Sequence, residues 1–199
     1  MRVSLRLEAL VLAAGAGSRF GGGKLLASWH GGVLLDGALA AAFASPVRQV
    51  HVVWGADPAV ADAAADFATR ADDSHRLRLI HAERHAEGLS ASLAAGVAAL
   101  PKDGDGVFVF LGDMPRVPIQ LAAALAEALD SGAAAAAPTF DGHRGHPVLF
   151  GRSLWPDLLT LTGDKGAGDL LRTLGARLTL VEAPHDGVLF DIDRREDLA

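Results

Sequence analysis

The chain has no cysteine. That excludes disulfides and thiolate-bound metal, and is compatible with a reducing compartment. Lysine is scarce as well: of 18 basic side chains only Lys24, Lys102 and Lys165 are lysine, and the rest are arginine. No apolar run is long enough to span a bilayer; the alanine stretch Ala133–Ala137 is far too short. The first residues, Met1 to Glu8, are charged and lack a secretory apolar core, so export is not expected and a cytoplasmic location is. Charged residues make up 21% of the chain and hydrophobic ones half, a composition that excludes disorder. The net charge of -6 argues against nucleic acid as a partner. No repeat, low-complexity linker or domain boundary interrupts the 199 residues, which are expected to form one domain, 1–199, with a large core.

What the chain does have is glycine, concentrated near its start. An apolar run from Leu7 to Ala14 reads as a buried strand, and it breaks into Gly15, Gly17, Gly21, Gly22 and Gly23, with Arg19 and Lys24 among them. Glycines let backbone N–H groups approach an anion, and successive N–H groups form a concavity that binds one. Two added cations suit several phosphates. A dinucleotide fingerprint, G-x-G-x-x-G, fails because its third glycine position holds Phe20. A Walker A loop fails because Leu25, not Ser or Thr, follows Gly23-Lys24. Every fixed position of L-A-A-G-x-G-x-R-x-G-x-x-K, a signature of nucleotidyltransferases that bind a nucleoside triphosphate, is filled by Leu12–Lys24. A lysine here departs from the chain's preference for arginine, and its compact charge on a flexible stem suits a triphosphate. A glycine-rich turn with incidental cations is the bland alternative.

Further along, strands and helices alternate. Helical patterns cover Leu34 to Ala44, Pro58 to Ala68 with Asp57 as N-cap, Ser90 to Leu100, and Ile119 to Leu129. Strand patterns cover Gln49 to Trp54, Leu77 to Ile80, Val107 to Leu111, Ala133 to Phe140 and Val148 to Phe150. The alternation predicts an α/β fold with a doubly wound, mostly parallel sheet, whose ligands belong at the carboxyl ends of the strands. There Gly112-Asp113-Met114-Pro115 follows Leu111, and Asp113 is the best candidate ligand for a hard cation such as Mg²⁺. Asp191 and Asp193 alternate on an expected short C-terminal strand, and Asp193 is preferred as a second metal ligand, with helix capping as its other reading. Ser90 either caps its helix or faces phosphate or base. The turn Asp141 to Pro147 offers Arg144 and His146 to an anionic acceptor, or is an ordinary solvated hairpin. Zinc binding by that turn, or by His81 with His85, lacks a third close ligand.

Taken together, L-A-A-G-A-G-S-R-F-G-G-G-K, G-L-S-A-S-L, L-G-D-M-P, R-G-H-P-V-L-F, G-D-K-G-A and D-I-D-x-x-E-D-L resemble the MobA-like NTP transferases, and among them most the molybdenum cofactor cytidylyltransferase branch. The resemblance runs from Leu10 to Leu198. It implies a Rossmann-like domain of the nucleotide-diphospho-sugar transferase type. It implies Mg²⁺-dependent attack of a pterin phosphate on the α-phosphate of CTP or GTP, with release of pyrophosphate. By position, Gly15, Gly17, Arg19 and Lys24 hold the triphosphate, and Leu12, Ala13, Ala14, Gly88, Ser90 and Gly112 join them around the nucleotide. Asp113 and Asp193 hold the metal, and Arg144, Gly145 and His146 face a molybdopterin-type acceptor. Arg19, Lys24 and Asp113 are the expected catalytic residues. The chain departs from the pattern at Phe20, Ser28, Gly168, His81 and His85. Two other readings fit the same motifs: a non-catalytic carrier that hands a cofactor to a molybdoenzyme, and a sugar-phosphate nucleotidyltransferase. No Ser/His/Asp arrangement is evident, and none is needed where the acceptor phosphate is already ionised.

Overall fold

A computed structural model describes residues 5–198. Met1–Ser4, on which part of the export expectation rests, lies outside them. The chain begins with β1 (Leu7–Ala13), followed by a small antiparallel pair, β2 (Ser28–Trp29) and β3 (Gly32–Val33). Helices and strands then alternate: α1 (Leu34–Ala44), β4 (Val50–Trp54), α2 (Ala59–Arg70), β5 (Leu77–His81), α3 (Leu89–Ala98), β6 (Gly106–Leu111) and α4 (Leu121–Asp130). The second half adds β7 (Ala135–Phe140), β8 (His143–Arg144), β9 (Val148–Gly151), short helices α5 (Trp155–Leu159) and α6 (Gly168–Thr173), and β10 (Leu178–Glu182).

One sheet runs β10-β7-β9-β6-β1-β4-β5, with β8 beside β7. The pairs β1/β4, β1/β6, β4/β5 and β7/β10 are parallel, while β9 runs antiparallel between β6 and β7. The sheet is therefore mixed and mostly parallel, as the alternation predicts. The reversed strand follows from the short β7–β8 hairpin, which leaves too little chain for a crossover helix.

Strand alternation divides the core in two. Leu7, Ala9, Val11 and Ala13 of β1 join Leu35 and Leu39 of α1, Phe108 and Phe110 of β6, and Leu125 of α4 on one face. Leu10 and Leu12 join Leu93 and Val97 of α3, Leu158 of α5 and Leu171 of α6 on the other. Full burial of each such Leu or Phe stabilises by about 1.5–3 kcal/mol. Glu8 breaks the apolar pattern of β1 while fully buried. Its Oε1 accepts a hydrogen bond from Arg48 Nε at 2.8 Å, and its Oε2 lies 3.3 Å from His51 Nε2. Paired this way, the charge is tolerated.

The expected C-terminal strand is absent. From Asp186 to Val188 the chain makes a single tight helical turn, and the backbone to Arg194 is irregular. The segment is tied down by separate bonds instead of a ladder: His146 N donates to Val188 O at 2.9 Å, and Ile192 N to Asp113 O at 3.1 Å. Period-two alternation therefore does not govern Asp191 and Asp193. Asp57 does accept from Ala59 N at 3.0 Å, as an N-cap side chain should.

Candidate active site

The chain leaves β1 for β4 and β5 on one side, then returns to β6 on the other, so the strand order reverses at the β1/β6 boundary. Leu12 pairs with Leu111 there, and Gly112 N donates to Leu12 O at 2.9 Å. The glycine-rich loop after β1 and the Asp113 turn after β6 thus leave the sheet side by side. Gly17, Gly21, Gly22 and Gly23 all take positive φ, and Phe20 N and Gly22 N both donate to Gly17 O.

Lys24 is the centre of this arrangement. Its side chain is only 11% exposed, with Nζ 2.7 Å from Asp113 Oδ2 and 3.4 Å from Asp193 Oδ1. Arg19 is 78% exposed and turned to the C-terminal segment, with Nη1 3.4 Å from Asp193 Oδ2. Asp193 does not cap the following turn; Asp197 Oδ2 accepts from the Asp193 and Arg194 amides instead. Asp191 sits close enough to matter: burial, then Asp113 and Asp193, push its carboxyl up.

A cavity of about 590 Å³ opens beside Lys24, lined by the chain from Leu12 to Ser18, by His85, Gly88, Leu89 and Ser92, and by Asp113 and Asp164. Of the residues expected around a nucleotide, Leu12, Ala13, Ala14, Gly15, Gly17, Lys24 and Gly88 line it. Arg19, Ser90 and Gly112 do not. Gly112 packs against Leu12 O and the Leu35 side chain. Ser90 is fully buried, its N donates to Gly163 O at 3.1 Å, and its hydroxyl has no partner among the described residues. It does not cap α3, which starts one residue earlier after Gly88. His81 stacks on Trp54 at 4.3 Å and lines a separate groove behind α3, away from His85.

A second pocket of about 150 Å³ adjoins the first through Leu12, Leu89 and Leu111. Its polar side chains are Arg144, His146 and Lys165, over an apolar floor that includes Val109, Phe150 and Leu171. Arg144 is half-buried, and among the described residues its guanidinium hydrogen-bonds only to Gly168 O, at 3.4 Å; burial, then Arg172, lowers its pKa. Burial also lowers the His146 pKa to about 4, against the pull of Asp113, so the ring is neutral at pH 7. The site thus gathers Lys24 and Asp113 at one cavity, with Asp193 reaching Lys24 from outside its lining, and Arg144, Gly145 and His146 at its neighbour. Sequence reasoning missed Ser92, His85, Asp164 and Lys165. Ser92, Asp164 and Lys165 stand inside quoted motifs, so the signal was there without a way to tell which member faces inward.

Asp113 and Asp193 both reach one cation, Lys24 Nζ, which shows that their oxygens converge. Hard carboxylate oxygens suit a divalent cation such as Mg²⁺ or Mn²⁺. Among the described residues no group of three or more His, Cys, Asp or Glu is placed to hold a metal by itself. Two carboxylates would leave coordination positions for phosphate oxygens.

Residues 9–179 match the MobA-like NTP transferase domain. The molybdenum cofactor cytidylyltransferase of Escherichia coli is 26% identical over 195 residues, 96% of this chain and 93% of that protein. The purine catabolism protein PucB of Bacillus subtilis is 32% identical over 197 residues, 96% and 93% of the two chains. The fold is shared with Rv0371c of Mycobacterium tuberculosis, with a TM-score of 0.78, 23% identity and 98% and 96% of the chains covered. A structure of Rv0371c in complex with manganese gives a TM-score of 0.69 at 21% identity, covering 91% and 89%. With the match running from β1 into β10, and the glycine loop and Asp113 meeting at the strand-order reversal where open α/β sheets bind ligands, the chain belongs to the MobA-like NTP transferase family and is a nucleotidyltransferase.

Proposed function

We propose that this protein transfers CMP or GMP from CTP or GTP to the phosphate of a molybdopterin-type acceptor, releases pyrophosphate, and acts as one domain in the cytoplasm. One observation carries the reading: Lys24, Asp113 and Asp193 meet beside the glycine loop, next to a pocket whose half-buried Arg144 has no carboxylate partner among the described residues. In this mechanism the loop amides of Gly15 and Gly17 and the Lys24 ammonium cradle the triphosphate, with Arg19 reaching in from the rim. Lys24 neutralises charge that grows on the departing pyrophosphate, which raises the rate because that charge is larger in the transition state. Asp113 and Asp193 would hold Mg²⁺, which would supply positive charge against that same build-up. Arg144 pairs with the acceptor's anionic group, and neutral His146 orients it by hydrogen bonding. No side chain has to remove a proton, since the acceptor phosphate is ionised at neutral pH.

The test is turnover. The protein is incubated with Mg²⁺, each of the four nucleoside triphosphates and either molybdenum cofactor or a sugar phosphate, and pyrophosphate is measured. Release with CTP or GTP is the expected result. Binding without release identifies a carrier that passes the cofactor to a molybdoenzyme. Release only with a sugar phosphate identifies a different acceptor.

A further inference from the structure

We infer that Asp164 recognises the nucleoside half of the bound nucleotide, accepting a hydrogen bond from an N–H or O–H donor of the base or ribose. The inference rests on the assignment of the 590 Å³ cavity to the triphosphate substrate.

That cavity is lined by chemically different groups. The glycine loop and Lys24 are built for anions. Gly88, Ser92 and Asp164 also line it without adding positive charge, and Gly88 lies against Asp164. Ser92 lines the cavity, and its hydroxyl has no hydrogen-bond partner among the described residues. A hydroxyl and a carboxylate both suit a polar, uncharged group.

Asp164 is held beside Gly88 by a specific backbone fit. Gly163 O accepts from Ser90 N at 3.1 Å, which pins the loop carrying Asp164 to the start of α3. Gly88 has φ 111°, a conformation reserved for glycine, and a Cβ there would run into Asp164 Oδ1 and come 2.9 Å from Gly163 O. The missing side chain at position 88 makes the room that the carboxylate fills. Asp164 itself is exposed at the cavity rim and has neither a cation nor a hydrogen-bond donor among the described residues. A carboxylate so placed repels a triphosphate and can only accept hydrogen bonds. The nucleoside supplies what it lacks: an exocyclic amine or ring N–H on the base, or the ribose hydroxyls.

Calorimetric binding without acceptor tests this, with CTP, GTP, UTP, ITP and the 2′- and 3′-deoxy forms of the preferred nucleotide, and with inorganic tripolyphosphate as a probe of the phosphate end alone. Asp164→Ala should weaken the preferred nucleotide about tenfold to a hundredfold, the range for one hydrogen bond to a charged group. Tripolyphosphate affinity should not fall, because removing the carboxylate only relieves repulsion. Asp164→Asn, nearly isosteric, should keep the parent's melting temperature and lie between the two. If the base supplies the donor, the parent discriminates against the nucleotide lacking that amine and Asp164→Ala does not. If the ribose supplies it, the same pattern appears with a deoxy form. Unchanged nucleotide affinity in Asp164→Ala, or an equal loss for tripolyphosphate, overturns the inference and leaves the transferase assignment standing. A parent protein that binds no nucleotide overturns both.

Discussion

Lys24 has few degrees of freedom for a loop lysine. It is nearly buried and balances Asp113 and Asp193, with Asp191 close behind. Lys24→Ala is expected to lower kcat by about a hundredfold or more, the scale for removing one preorganised group. An exposed lysine would be neutral for stability, but here its removal leaves carboxylates facing one another. Lys24→Ala should therefore melt at a lower temperature, and millimolar Mg²⁺ should restore part of the loss. Lys24→Arg keeps the charge with a wider, planar head and should recover nucleotide binding better than rate. Asp113→Asn should fold normally yet lose metal-dependent turnover; full activity at limiting Mg²⁺ would contradict its role. His146 gives a pH dependence of stability. Its ring titrates near 4 folded against 6.5 unfolded, so only the unfolded chain takes up the proton between these values. Stability from this residue is complete above about pH 6.5 and falls as pH drops toward 4. Melting metal-free protein across that window should show a shallower fall in His146→Gln than in the parent.

Among the elements, β9 explains how the second pocket reaches the first. Because it runs against its neighbours, its leading end at Val148 lies at the same rim as the trailing ends of β6 and β7. Residues just before it, Arg144 to Pro147, are delivered to that rim. Gly145 packs so closely on the backbone of Val188 that a Cβ would overlap its carbonyl. Gly145→Ala should cost about 1–3 kcal/mol, read by urea unfolding, and should loosen the chain from Val188 to Asp193. The sequence made α1 legible to the residue and the main strands nearly so, because buried parallel strands are continuous apolar runs and α1 ends at Ser45-Pro46. It made the glycine loop and Asp113 legible as neighbours, since both follow strands. It could not place the C-terminal segment, where isolated bonds to Asp113 and His146 replace a regular pattern. Nor could it separate Ser90 from Ser92, because two residues' difference on a helix end decides which points inward and only packing against Gly163 settles that.

For the molecule as a whole, the two core layers meet on β1, and the one charge buried within that strand is Glu8. Glu8→Ala should destabilise by about 3 kcal/mol, the low end for breaking a buried pair, because Arg48 keeps Asp103 at 2.8 Å. That charge also orders assembly in time. β1 cannot leave water until Arg48 and His51 arrive from 40 or more residues away, so its desolvation waits for β4. The β1-α1-β4 unit should accordingly be formed at the folding barrier, ahead of β7 to β10. In stopped-flow experiments, Glu8→Ala and Arg48→Ala should slow refolding by nearly their whole loss of stability and barely alter unfolding. Variants that instead only unfold faster would put this pairing after the barrier and hand the nucleus to another part of the sheet.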